Sequence, residues 1–260
     1  MTSYTRIRWL LLGDSITQQS FSPTHAGWGA ALADYYARTG DVTNRGYSGY
    51  NSRWLLENLP AVTESQFPSA RCFSSGSYFV TLFLGANDSS DDTGASLALS
   101  PPQSGQGVPL DEYQRNLHAI VSGLKERIDA ACPSPPSSYN IILITPPTVD
   151  GSKWPTRSPE RAAQYAAGAR AVAAEAGVHL VDLWEADADA AAMDAAADFH
   201  DGLHFAASGN AKLFAKLRGL VRNKFPGLAP DDDENGQPKV PMHLPYWGVL
   251  GAQPPPEGNN

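Results

Sequence analysis

Short unbroken runs of apolar residues alternate along this chain with stretches in which apolar positions recur every three or four residues. The runs at 7–12, 78–84, 141–145 and 178–182 carry almost no polar interruption, as strands buried on both faces require. A fifth strand candidate, 42–44, is shorter and more polar. Helical spacing follows Gly27 in Trp28, Leu32, Tyr35 and Tyr36, and is clearest in Leu117, Ile120, Val121, Leu124 and Ile128. Ser158-Pro159-Glu160 reads as a cap followed by proline at the first helical position, opening an alanine-rich helix that Gly177 closes. A last helix carries Leu213, Phe214, Leu217, Leu220 and Val221 on one face. Strands alternating with helices predict an α/β domain with a parallel sheet covered by helices.

Two segments break the rhythm. Residues 89–109, rich in Ser, Gly, Asp and Pro, follow a strand directly, where α/β proteins place binding walls or surface insertions. From 226 to 260 the chain turns proline-rich, with acidic residues 231–234 and then Met242, Leu244, Tyr246 and Trp247. The expected organisation is one domain over 1–225 and a tail over 226–260 that packs on the domain or on a second subunit of a homo-oligomer.

Composition narrows the function classes. With 19 basic against 27 acidic residues the formal charge is -8, which disfavours nucleic acid and anionic membrane surfaces as partners. The run at 7–12 is too short to cross a membrane. The two cysteines, Cys72 and Cys132, make no disulfide framework, although a single bridge stays open. A reduced, cytoplasmic setting suits them. It also suits the sequon Asn87-Asp88-Ser89, where a glycan would block a candidate site residue.

Candidate chemistry gathers where the strand candidates end. Leu12-Gly13-Asp14-Ser15 reads as a strand running into a tight turn, and ligands of parallel sheets bind at the carboxyl ends of strands. A serine hydroxyl needs a base in reach to become a nucleophile. Asp201-Gly202-Leu203-His204 supplies one: in a helical turn, positions three apart share a face, so Asp201 would fix one ring nitrogen and leave the other for Ser15. Taken alone, either segment could be a mere helix cap. His200, without an acid at matching spacing, reads as a surface residue. Acyl transfer also needs donors for an oxyanion, and Gly49 in the loop after 42–44 and Asn87 after 78–84 stand at the same sheet edge. No dinucleotide fingerprint, P-loop or zinc spacing occurs, so no cofactor or metal is expected.

Gly13-Asp14-Ser15-Ile16, Gly49, Gly85-Ala86-Asn87-Asp88 and Asp201-Gly202-Leu203-His204 resemble, in order, the four blocks of the SGNH (GDSL-type) hydrolases. The segments 45–54, 108–113 and 201–205 are similar to the branch that hydrolyses isoamyl acetate. The resemblance spans roughly residues 7–225. It implies a flavodoxin-like three-layer α/β/α sandwich with about five strands, and a cofactor-free serine esterase acting on small, short-chain esters. It assigns Ser15, Asp201 and His204 to the catalytic triad, and Ser15, Gly49 and Asn87 to the oxyanion hole. Esters of acetylated sugars, lysophospholipids or thioesters remain alternative substrates, and a non-catalytic binding module is the alternative from another class. The loop 89–109 is longer than this branch leads one to expect.

Overall fold

Each strand of a sheet sandwiched between helices must be apolar on both sides, and the sequence meets that demand residue by residue. In the computed structural model, which describes residues 6–64, 66–67, 78–92, 105–131 and 139–231, five strands form one parallel sheet. They are β1 (Ile7–Gly13), β2 (Gly40–Gly46), β3 (Tyr78–Phe83), β4 (Ile141–Ile144) and β5 (His179–Val181), in the spatial order β2-β1-β3-β4-β5. Among the described residues the helices are α1 (Ser15–Gln18), α2 (Trp28–Tyr35), α3 (Ser52–Thr63), α4 (Leu110–Ala131), α5 (Pro159–Ala176) and α6 (Ala207–Lys224).

Alternate residues of the strands feed two separate cores. Leu10 and Leu12, Val80 and Leu82, and Ile141 and Leu143 face the layer built from α3, α4 and α5. Trp9 and Leu11, Phe79 and Phe83, and Ile142 and Ile144 face the layer of α2 and α6. The expected three-layer α/β/α architecture is the one observed. Trp9 stacks on Phe79 with centroids 4.3 Å apart, and Phe225 meets the same Phe79 ring edge-on at 5.1 Å. Removing such buried area from water is the main stabilising contribution to the fold.

All five strand candidates are strands. The weakly patterned 42–44 is the middle of a seven-residue edge strand whose side chains are mostly half-exposed, which explains its polarity. Helix α3 was not foreseen: Pro60 lies inside it, and its start depends on the Asn51 side chain, which accepts from the Trp54 N–H at 3.0 Å. For α5 the reading holds: Ser158 caps it and Gly177 ends it in a left-handed conformation, φ 62°. The first residues of the tail lie against the domain, with the Tyr36 hydroxyl donating to the Leu228 carbonyl at 3.1 Å. Residues 232–260, the loop centre 93–104, Cys72 and Cys132 lie outside the described residues. No described helix is long and apolar enough to cross a membrane.

The fold predicts where truncation hurts. Phe79→Ala should cost about 3–5 kcal/mol in urea unfolding, the usual range for an aromatic removed from a packed core. At temperatures where the variant stays folded, the loops at the carboxyl ends of the strands should keep their arrangement, because Phe79 lies at the amino end of β3.

Candidate functional site

Polar groups gather at the carboxyl ends of the strands, and each is held by the local structure of its own loop. β1 ends at Gly13, where a Cβ would lie 2.2 Å from Thr17 Oγ1 and 2.5 Å from the Phe83 carbonyl oxygen. Only glycine lets the chain turn that tightly. Asp14 then caps α1, its Oδ1 accepting from the Ile16 N–H at 2.9 Å. Ser15 opens that short helix and is 7% exposed. The capping role and the chemical candidate therefore coexist on adjacent residues.

The acid–base pair arrives from far along the chain. His204 Nε2 lies 2.9 Å from Ser15 Oγ, across 189 residues of sequence. On the other side of the ring, Nδ1 is 2.7 Å from Asp201 Oδ2. A carboxylate only accepts, so Nδ1 carries the proton and Nε2 is left bare to accept from the serine hydroxyl. Asp201 and His204 are not on a helical turn: α6 begins at Ala207, and Gly202 has φ 89°. Instead Asp201 Oδ1 accepts from the Leu203 and His204 N–H groups at 2.9 and 2.7 Å, an aspartate turn that brings the two side chains together. Burial works to raise the Asp201 carboxyl, but the His204 ring and these two N–H donors outweigh it and hold the group down at about 2. It is ionised throughout the neutral range. The Trp154 indole N–H donates to the Asp201 carbonyl at 3.1 Å, and its ring meets the imidazole edge-on.

Gly49 and Asn87 come to the same edge. Gly49 has φ 81°, a left-handed conformation that glycine adopts without strain. Asn87 is 3% exposed. Its Nδ2 spends one hydrogen on the Tyr50 carbonyl at 2.8 Å, leaving the second unassigned. Its Oδ1 accepts from Arg157 Nη2 at 2.8 Å. Arg157 was not anticipated from the sequence, since a lone arginine in Trp154-Pro155-Thr156-Arg157-Ser158 matches no motif. Its position after β4, at the edge where the other loops meet, was the one available clue.

Two buried carboxyls lie directly behind these loops. Burial pushes Asp14 up to about 7, against the opposing pull of the Ile16 N–H, and Oδ2 of Asp14 has no hydrogen-bond partner among the described residues. Burial likewise pushes Asp88 up to about 6, opposed by the Ser52 contacts, which include the Ser52 N–H at 2.9 Å. His200 is exposed, as expected, but stacks on His25 at 4.1 Å and offers a ligand atom within 4.8 Å of Asp201 and His204. That is the described grouping with metal-ligand chemistry. Sequence spacing had suggested no such group. Asp201 Oδ2 and His204 Nδ1 are committed to each other, so the arrangement serves proton transfer as it stands.

Comparison with known proteins shows the family. The sequence profile of the GDSL-like lipase/acylhydrolase family matches residues 11–212. The chain is 35% identical to the human isoamyl acetate-hydrolyzing esterase 1 homolog, covering 95% of this chain and 90% of that protein. It is 31% identical to the isoamyl acetate-hydrolyzing esterase of Saccharomyces cerevisiae, over 86% and 89% of the two chains. In fold it is similar to a lipase/acylhydrolase from Enterococcus faecalis, with TM-score 0.59 at 23% identity, over 84% of this chain and 96% of that one.

The buried Asp14 carboxyl predicts a pH dependence of stability. Its folded value of about 7 lies above the ordinary 3.8, so between these the folded state keeps a proton that the unfolded chain has lost. That contribution is fully present below the lower value and is lost as pH rises through the upper one. Asp14→Asn keeps the capping acceptor and cannot ionise, so its unfolding free energy should fall less than that of wild type across this window. Unfolding free energies that change equally with pH in the two proteins would sink the idea.

Proposed function

The chain belongs to the GDSL-like lipase/acylhydrolase family and is a carboxylic ester hydrolase, and from that premise we propose that Ser15, His204 and Asp201 are its catalytic triad, acting on small acetate-type esters. The observation that carries the assignment is the continuous relay from Asp201 through the imidazole to the Ser15 hydroxyl.

His204 Nε2 takes the Ser15 proton as Oγ bonds to the ester carbonyl carbon, and the carbonyl π electrons move onto its oxygen. The resulting imidazolium is stabilised by the ionised Asp201. The N–H groups of Ser15 and Gly49 and the remaining Asn87 amide hydrogen hold the oxyanion. Collapse of the tetrahedral species breaks the bond to the alcohol oxygen, which leaves with the proton from His204. Water then attacks the acyl-enzyme, with His204 again as base, releasing the acid and restoring Ser15. The preference for short acyl groups is supported by the names of the two isoamyl acetate-hydrolysing relatives, both matched over most of their length.

Three measurements test the scheme. With chelator present throughout, wild type should hydrolyse a chromogenic acetate ester, and Ser15→Ala should lose about 10⁴-fold or more in kcat at unchanged thermal stability, as removal of the nucleophile does in serine hydrolases. Equal activity of the two proteins would make Ser15 a turn residue and overturn the triad assignment. Asn87→Ala should lower kcat by about 10²–10³, the usual cost of one oxyanion donor. A series of esters with lengthening acyl chains should show kcat/KM highest at acetate, and a maximum at long chains would refute the acyl preference.

A further inference from the structure

A buried guanidinium is costly to remove from water, and chains keep one where its hydrogen bonds organise something else. Arg157 is 7% exposed, and its side-chain hydrogen bonds go to four neutral oxygens, the longest from Nη1 to Thr156 Oγ1 at 3.5 Å. Nε donates to the Ala86 carbonyl at 3.0 Å, while Nη2 is shared between Asn87 Oδ1 and Gln106 Oε1, each at 2.8 Å. The Trp154 ring lies 5.2 Å from the guanidinium carbon. From Gln106 the chain of contacts continues: its Nε2 donates to the Gly49 carbonyl at 3.2 Å, and its own carbonyl accepts from Asn51 Nδ2 at 2.9 Å.

Resting on the assignment of Gly49 and Asn87 as oxyanion donors, we propose that Arg157 is the positioning residue of the oxyanion hole, setting both donors from one guanidinium. Its grip on Asn87 is direct. Oδ1 is held by Nη2 and one Nδ2 hydrogen by the Tyr50 carbonyl, so the amide plane is fixed from both ends and the second hydrogen has one direction left. A cation on the amide oxygen also draws electron density from the nitrogen, making that hydrogen a stronger donor towards a developing negative charge. Its grip on Gly49 runs through Gln106, which holds the peptide that follows the glycine. Gly49, with φ 81°, brings no side chain to that point of the loop, and the Gln106 amide bonds its carbonyl from the neighbouring loop. A lysine would keep the charge, but its single ammonium lacks the planar fork that reaches the Ala86, Asn87 and Gln106 oxygens together.

The test is a double-mutant cycle on hydrolysis of a chromogenic acetate ester. Arg157→Lys should lower kcat about tenfold or more with KM within about twofold, because a group that acts through the oxyanion works mainly in the transition state. In the Asn87→Ala background the same substitution should cost about threefold or less, the non-additivity expected of residues that act through one another. A merely structural arginine would cost the same in both backgrounds, or shift KM and stability together, and either result overturns the proposal. So does a folded Arg157→Lys enzyme with wild-type kcat. Gln106→Ala loosens the same guanidinium while leaving the cation in place, and goes through the same cycle with the same readings should Arg157→Lys not fold. The underlying assignment is read separately: wild-type kcat in Asn87→Ala alone discards Asn87 as a donor and this proposal with it. A damaged Asn87→Ala beside an intact Arg157→Lys discards only the role of Arg157.

Discussion

Burial of β1 on both faces is the constraint from which the rest of the molecule follows. Its side chains alternate between two cores, Leu10 and Leu12 on one side and Trp9 and Leu11 on the other, and it pairs with β2 and β3 along its length. A strand so enclosed has no freedom to slide, because a shift of one residue would exchange its two faces. The last residue of β1 is therefore fixed in space, and Gly13 turns the chain at that fixed point. Ser15 inherits its position from the centre of the sheet rather than from its own loop.

The other site residues lack that advantage, and hydrogen bonds supply what packing does not. Asp201 makes its own turn by accepting two backbone N–H groups, and the same carboxylate orients the imidazole. Asn210 steadies the approach of this segment, accepting from the Trp28 N–H and donating to the His25 carbonyl. On the opposite wall, Asn51, Gln106 and Arg157 tie the loops after β2, β3 and β4 to one another. Electrostatic stabilisation of a transition state is effective to the extent that dipoles are oriented beforehand, and these ties hold the loop side chains in one orientation.

How far this could be read in advance depended on whether a feature was periodic. The buried strands and helices α4, α5 and α6 announce themselves through apolar spacing or caps. β2 is faint because an edge strand is only half buried, and α3 was missed because proline at 60 contradicts helix while its supporting cap, Asn51, lies in a glycine-rich loop. The relay residues were legible as ordered short blocks. The aspartate turn that joins Asp201 to His204 was misjudged as helical, since three-residue spacing suits both geometries and the left-handed Gly202 and the two N–H bonds to Asp201 appear only in the structure. Arg157 left no trace in pattern: its importance lies wholly in contacts 51 to 71 residues distant.

The separation of 189 residues between the two ends of the serine–imidazole hydrogen bond has a kinetic meaning. Contacts so distant in sequence close late, after the loop entropy has been met by nearer pairings. β1, β2 and β3 can pair, and Ser15 can reach its final place, while the segment bearing Asp201 and His204 is still undocked. The Ser15–His204 hydrogen bond closes only with the segment leading into α6 in place, so it is a contact of the complete domain and not of its amino-terminal part.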